Sequence, residues 1–286
     1  MKRMYILLTG CCFALSSLAQ TDTTGKSTQR DTIPSQSDTI HVGGMIIIKK
    51  GKTNGDEVDQ IIVHHRSNPS SNLSTDWAIF DLGFANWNDK TDYAAASASG
   101  FLGPGVGETQ FNLRNGKSVN VNIWAFMQKL NLSKHVVNLK YGLGIELNNY
   151  RFEDTRVTYL KTPSPAQVVL IDSPSHTKDK LAADYVTIPM MLNFNFTPKR
   201  DDGFGLSFGV SAGYLYSSRQ KFKGGEADKY KTKGNFSLEP WKISYIAELQ
   251  LGPVKFYGSY ATKSMYKKGL DHTPYNVGIR FSNSNW

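Results

Sequence analysis

Six histidines are the first residues to test for chemistry: His41, His64, His65, His135, His176 and His272. His64 and His65 are adjacent, and neighbours in a strand point to opposite faces, which suits no shared metal. His176 and His272 have Ser173, Ser175 and Asp271 close in sequence, the ingredients of a Ser-His-acid relay. Those residues fall in segments read below as loops, and nothing in their spacing makes them converge. No catalytic residue and no metal site is expected. The glycine-rich run Phe101-Leu-Gly-Pro-Gly-Val-Gly107 neither follows a strand nor opens a helix, so it reads as a flexible loop and not as a phosphate cradle. Both cysteines, Cys11 and Cys12, lie at the extreme N-terminus, leaving no thiol for a disulfide, a metal or a nucleophile once that segment is removed. No cofactor is expected.

The N-terminus explains the removal. Met1-Lys2-Arg3 is a positive start, an apolar run reaches Leu18, and Ser17-Leu18-Ala19 offers small residues before Gln20. Residues 1–19 read as a signal peptide. A membrane anchor and a lipobox at Leu8-Thr9-Gly10-Cys11 are the rival readings. Residues 20–76 are rich in Thr, Ser, Asp and Gln and read as a flexible periplasmic linker. One apolar segment, residues 42–48, interrupts it and suits a short strand or a docking segment. Export makes nucleic acid an improbable partner despite a formal charge of +9.

The elements that position any site begin at Trp77. Strict alternation appears in eight runs. In the first, Ala78, Phe80, Leu82 and Phe84 form one face, with Trp77, Ile79, Asp81 and Gly83 on the other. In the second, Val119, Val121, Ile123, Ala125 and Met127 oppose Asn120, Asn122, Trp124, Phe126 and Gln128. Further runs cover 137–148, 186–196, 205–216, 241–250, 254–260 and 275–282. Each has one apolar face and one polar or small face, the period of a strand.

A soluble sandwich and a transmembrane barrel both alternate in this way. Three features favour the barrel. Several runs reach the ~9–11 residues needed to span a bilayer. The face opposite the apolar one carries Asp81, Lys140, Glu146, Lys242, Glu248, Lys255 and Arg280, which a dry core does not hold and a narrow lumen can pair. Long and short connections alternate along the whole chain. The expected fold is all-β: an eight-stranded antiparallel up-and-down transmembrane β-barrel over 77–286, both termini periplasmic. Pro189 interrupts the fourth run, where a bulge at or beside it, or a strand starting after it, would absorb the missing N–H. Arg280 is expected to face a carboxylate such as Asp81 or Glu248. The last strand should pair with the first.

Three stretches, Asp38–Lys50, Tyr185–Phe194 with its internal Ile-Pro, and Val277-Gly-Ile-Arg-Phe281, resemble the segment before the barrel, the mid-barrel strand and the closing strand of one family. On these the chain is identified as a member of the Bacteroidota-type outer-membrane β-barrel family, related to the PorT-like barrels. The chain continues past Phe281 to Trp286, so either aromatic could be the terminal signal for the barrel assembly machinery.

Function follows from the bore. Eight strands enclose a lumen that side chains can fill. The expected role is a non-enzymatic structural or interaction protein of the cell envelope, with external loops as its contact surface. Transport of a small or apolar solute, and a part in an envelope secretion machine, are the alternatives. The external loops carry Arg219, Lys221, Lys223, Lys229, Lys231 and Lys233, and then Lys267 and Lys268. These either pair with lipopolysaccharide phosphates or form a solvated rim. Outer-membrane lipid is a partner by location. No residue names a protein partner or an oligomeric state.

Overall fold

The computed structural model describes residues 37–42, 45–50, 61–65, 71–160, 168–171, 176–198, 203–224 and 229–282. The signal segment, Ser173, Ser175, Glu226, Asp228 and Trp286 lie outside the described residues. The chain divides into two units, 1–69 and 70–286. In the first, β1 (Ser37–Val42), β2 (Met45–Lys50) and β3 (Ile61–His65) form an antiparallel sheet with β2 in the centre. Residues 45–48 of the apolar segment thus lie on β2, with Val42 at the end of β1, and His64 and His65 lie on β3, which pairs with β2.

The second unit contains β4 (Leu73–Asp89), helix α1 (Tyr93–Ala98), β5 (Val119–Ser133), β6 (Val137–Arg151), β7 (Val157–Tyr159) and β8 (Val169–Ile171). It continues with β9 (Lys178–Asn195), β10 (Phe204–Lys223), β11 (Lys229–Lys233), β12 (Trp241–Leu251), β13 (Val254–Ala261) and β14 (His272–Phe281). Strands β4, β5, β6, β9, β10, β12, β13 and β14 pair in that order, all antiparallel. β14 closes on β4, from His272 opposite Asp89 to Phe281 opposite Phe80. Closure satisfies the backbone of both edge strands, a requirement for any sheet in hydrocarbon. β4 begins at Leu73, so residues 73–76 belong to the barrel and not to the linker.

The outward face is apolar. Leu206, Phe208 and Val210 on β10, and Ile188, Met190 and Leu192 on β9, are exposed side by side. Tyr214, Tyr216, Trp241, Tyr245 and Tyr260 ring the end with the long loops, while Trp77, Phe196, Phe204 and Phe281 ring the end with the tight turns. An apolar band between aromatic girdles is what the two bilayer interfaces select.

The alternation places Trp77 and Phe126 in the lumen and Met127 on the lipid face, and the structure reverses all three. Trp77 is 70% exposed and Met127 is 0% exposed. Ala78 adopts φ 56°, and pairing steps from Trp77–Phe126 to Ile79–Trp124, skipping Ala78 and Ala125. This paired bulge shifts both strands by one residue and so exchanges their faces below it. Trp77 and Phe126 meet outside, ring centroids 5.9 Å apart, in the girdle.

Pro189 is accommodated without either expected device. β9 begins well before it, and Pro189 pairs in register with Ser211 of β10. On the other side the β6 pairing passes from Tyr141–Met190 to Gly144–Thr187, so the ladder opens opposite Ile188 and Pro189. The bulge of this region lies instead on β10, between Leu215 and Ser217.

Beyond the lipid band the pattern inverts. Leu181, Ala183 and Tyr185 of β9 point inward and are buried. With Trp87, Phe101, Phe111, Tyr150, Phe152, Tyr159, Phe236 and Tyr266 they form one apolar core built from all four long connections. The glycine-rich run expected to be flexible supplies Phe101, Leu102 and Val106 to it. Gly269, at φ +85°, lets Phe101 in: a Cβ there would stand 2.2 Å from the ring.

Candidate functional site: the filled lumen and its cap

The lumen is built by the inward residues of all eight strands, and charge pairing dominates it. Arg280 donates to Asp81 Oδ1 at 2.7 Å through Nε and to Oδ2 at 2.8 Å through Nη2, the two-pronged geometry a guanidinium favours. Its Nη1 donates to Glu248 Oε2 at 2.5 Å. Lys140 Nζ donates to the other oxygen of Glu248 at 2.6 Å. Asp81 also accepts from Trp124 Nε1 at 2.7 Å and from Asn122 at 3.1 Å. Lys255 Nζ donates to Ser282 Oγ at 2.6 Å.

A second group sits nearer the cap. Lys242 pairs with Glu146. Asn276, Asn148 and Thr187 also donate to that carboxylate, at 3.1, 3.3 and 3.4 Å. Tyr257 donates to Asn120 at 2.5 Å, and Asn120 to Asn148 at 2.9 Å. An apolar patch of Ile79, Trp124, Met127, Met191 and Ile246 also lines the lumen. Buried charges are costly unless paired and hydrogen-bonded; the pairs here are both. A cavity of about 30 Å³ bordered by Trp124, Glu146, Pro189, Glu248 and Arg280 has room for a water or two, not for a solute.

All seven charged residues singled out in the sequence face this lumen. The partnering Asn120, Tyr257 and Asn276 were not singled out. Their signal was present only as inward parity, because partner choice depends on strand order around the ring.

The cap lies over the lumen, joined to it at Tyr185, whose ring has Lys242 Nζ 4.7 Å from its centroid. His272 is not on a loop, as expected, but at the start of β14, pointing inward and 0% exposed. It stacks on Trp87 at 4.6 Å and meets Phe111 and Tyr266 edge-on. Its Nε2 lies 3.2 Å from Asp89 Oδ2, though neither ring nitrogen makes a well-aligned hydrogen bond. Burial works to raise the Asp89 carboxyl, but His272 and the Tyr93 hydroxyl hold it well below the usual range. Asp271 is exposed and its backbone N–H bonds Thr91, so the Asp271–His272 pair forms no relay. His176 packs against Phe222, far along the chain from His272.

A hairpin of β7 and β8 is clipped to the barrel by buried Gln220. Tyr159 N–H donates to its Oε1 at 2.9 Å, while its Nε2 donates to Val157 O at 2.7 Å and to Asp179 Oδ1 at 2.9 Å. Asp179 Oδ2 is buried without a hydrogen bond. Burial pushes the Asp179 carboxyl up to about 8, with nearby Asp154 adding to the shift.

The basic residues expected in a loose loop lie largely on ordered strands. Arg219, Lys221 and Lys223 end β10, and Lys229, Lys231 and Lys233 lie on β11. Lys268 lines a separate surface cleft of about 390 Å³ beside α1, together with Asp92 and Asp271. Lys267 N–H donates to Ser237 O in the same cap.

A closed antiparallel ring, an outward apolar band and a charge-paired bore define a transmembrane β-barrel filled by its own side chains. The sequence matches the family described as outer membrane protein beta-barrel domain over residues 84–263, more than half of the chain. The protein belongs to that family and is an outer-membrane protein. No curated protein matches the chain.

Proposed function

We propose that the protein is a non-enzymatic scaffold of the outer membrane whose folded external cap is its contact surface. The observation that carries this is the continuous filling of the bore, from Lys255 and Arg280 through Glu146 and Lys242 to the aromatic core of the cap. Among the described residues, the His272–Asp89 pair is sealed among Trp87, Phe111 and Tyr266. In this reading the termini are periplasmic, the barrel assembly machinery inserts the chain, and the basic residues at the end of β10 and on β11 meet outer-leaflet lipopolysaccharide. Planar-bilayer recording tests it: no reproducible conductance steps are expected, and large ones overturn the closed bore. Unchanged acyl chains on lipopolysaccharide after incubation are expected for a protein without lipid-modifying activity.

The apolar-solute alternative has one observation in its favour. A groove of about 850 Å³ indents the lipid-facing wall where Ala247 and Gly258 stand side by side, flanked by Phe208, Tyr245, Tyr260 and Val277. Labelled fatty acid crossing proteoliposomes faster than protein-free ones would favour that alternative.

A further inference from the structure

Three neighbouring strands beyond the lipid band place like charges opposite one another. Pairing of β9, β10 and β11 creates the cross-strand row Lys180–Lys221–Lys231 and the pair Lys178–Lys223, with Arg219 opposite Lys233 next to them. Residues of one row on adjacent strands share a face, with Cβ atoms about 5 Å apart, and like charges so placed destabilise a sheet. The crowding registers on the side chains. Burial first, and then Lys221, Lys178 and Arg219, bring Lys180 down to about 8. Burial, Arg219 and Lys231 also lower Lys221. The acid against this face, Asp184, is already paired with Arg219.

The bulge on β10 decides which way these cations point. Before it the even residues Tyr214 and Tyr216 face lipid; after it the odd residues Arg219, Lys221 and Lys223 continue the same face. At about 3.3 Å per residue, Arg219 to Lys221 lie roughly 10–17 Å along the strand beyond Tyr216. That is where headgroups begin above an aromatic girdle. An apolar band thus runs directly into a preassembled cluster of cations lacking a matching set of anions among its described residues.

Resting on the outer-membrane reading above, we propose that the outward face of the β9–β10–β11 ribbon is a multidentate binding site for the phosphates of outer-leaflet glycolipid. Lys178 and Lys180, about forty residues away from the basic segment in sequence, are part of it; Lys267 and Lys268 are not. A bound phosphate accepts from several ammonium groups at once and converts mutual repulsion into shared attraction. The lipid tails lie against Tyr214, Tyr216 and Val186, which fixes a lipid as the source of the phosphate.

The test uses the full-length barrel in phosphatidylcholine nanodiscs carrying trace lipopolysaccharide, with retained lipid measured by mass spectrometry. Wild type is expected to retain it, and Lys180→Gln/Lys221→Gln/Lys231→Gln to lose about tenfold or more. Lys267→Gln/Lys268→Gln should match wild type, and enzymatically dephosphorylated lipopolysaccharide should bind wild type as weakly as the triple variant binds the intact form. Equal retention by the triple variant, or of the dephosphorylated lipid, overturns the proposal. Soluble tripolyphosphate bound as tightly as the lipid overturns the lipid source. Heat-modifiable gel migration checks folding, and Lys231→Gln alone, on the last strand of the ribbon, serves if the triple variant does not fold. Conductance recorded on the same samples separates the two readings: an open bore would sink the closed scaffold and leave the phosphate result standing.

Discussion

Inside the membrane and outside it, the same strands obey opposite rules. Between Val186 and Leu192, β9 sends apolar residues outward and Thr187, Pro189 and Met191 inward; from Tyr185 back to Leu181 it sends apolar residues inward. Below this boundary the interior is polar and held by ion pairs such as Arg280–Asp81. Above it the interior is aromatic and held by packing, as at Tyr159 and Phe236, whose rings are 5.5 Å apart. The difference teaches that solvent decides what an interior must be. Lipid takes the apolar side chains outside, so the lumen must be closed with charges; water outside the cap returns the apolar residues to the inside.

The largest test of this contrast is Arg280→Leu. It strands Asp81 in the bore without a cation and leaves Glu248 with Lys140 alone, and a loss of about 3–5 kcal/mol is expected, read as a lower temperature of heat-modified migration. A shift of under a degree would mean that the lumen is not held by this pair. Phe152→Ala comes next. This 0%-exposed ring is in the cap, and a cost of about 3 kcal/mol is expected there. Proteolysis within the long connections should rise while the barrel still migrates as folded; loss of both together would make the two regions one cooperative unit.

Per unit of pH, a smaller effect separates the regions. The Asp179 carboxyl is raised in the folded cap, so its contribution is complete below the ordinary carboxylate value and declines as pH rises through about 8. Gln220 faces it with a donated hydrogen bond, Asp154 with a like charge, and the Lys180 backbone N–H with another hydrogen bond. Between about pH 4 and 8, amide exchange of Val157–Leu160, corrected for intrinsic rates, should increase by at most tenfold per pH unit. Asp179→Asn should flatten that slope, and an equal slope in the variant would rule out this carboxyl as its origin. The smallest expected change is for Tyr159→Phe, which removes the 2.6 Å contact with the Tyr266 hydroxyl inside the cap. About 1 kcal/mol of local stability should go, read by the same exchange, with conductance unaltered.

Much of the barrel was legible because alternation is local. Asp81, Lys140, Glu146, Lys242, Glu248, Lys255 and Arg280 share inward parity whatever their partners are, and closure of the last strand on the first follows from an even count. The orientation of Trp77 was not legible. A strand and a strand with a one-residue bulge have the same sequence until Ala78 takes its left-handed conformation. His272 was misplaced because the sequence around it reads equally as loop or strand start. The cap was hidden for a different reason: Phe101, Phe152, Phe236 and Tyr266 come from four connections, and no spacing along the chain announces that they meet.

The sequence by itself determined that apolar and polar faces alternate, that the strands are long enough for a bilayer, and that the inward face carries opposite charges. These follow from the two-residue period of an extended chain. Only the tertiary structure decided which charges pair, that the long connections fold into one core, and that Lys178 and Lys180 stand opposite Lys223 and Lys221. Those outcomes depend on which strands become neighbours and on where a bulge changes the phase, and both are settled by closing the ring.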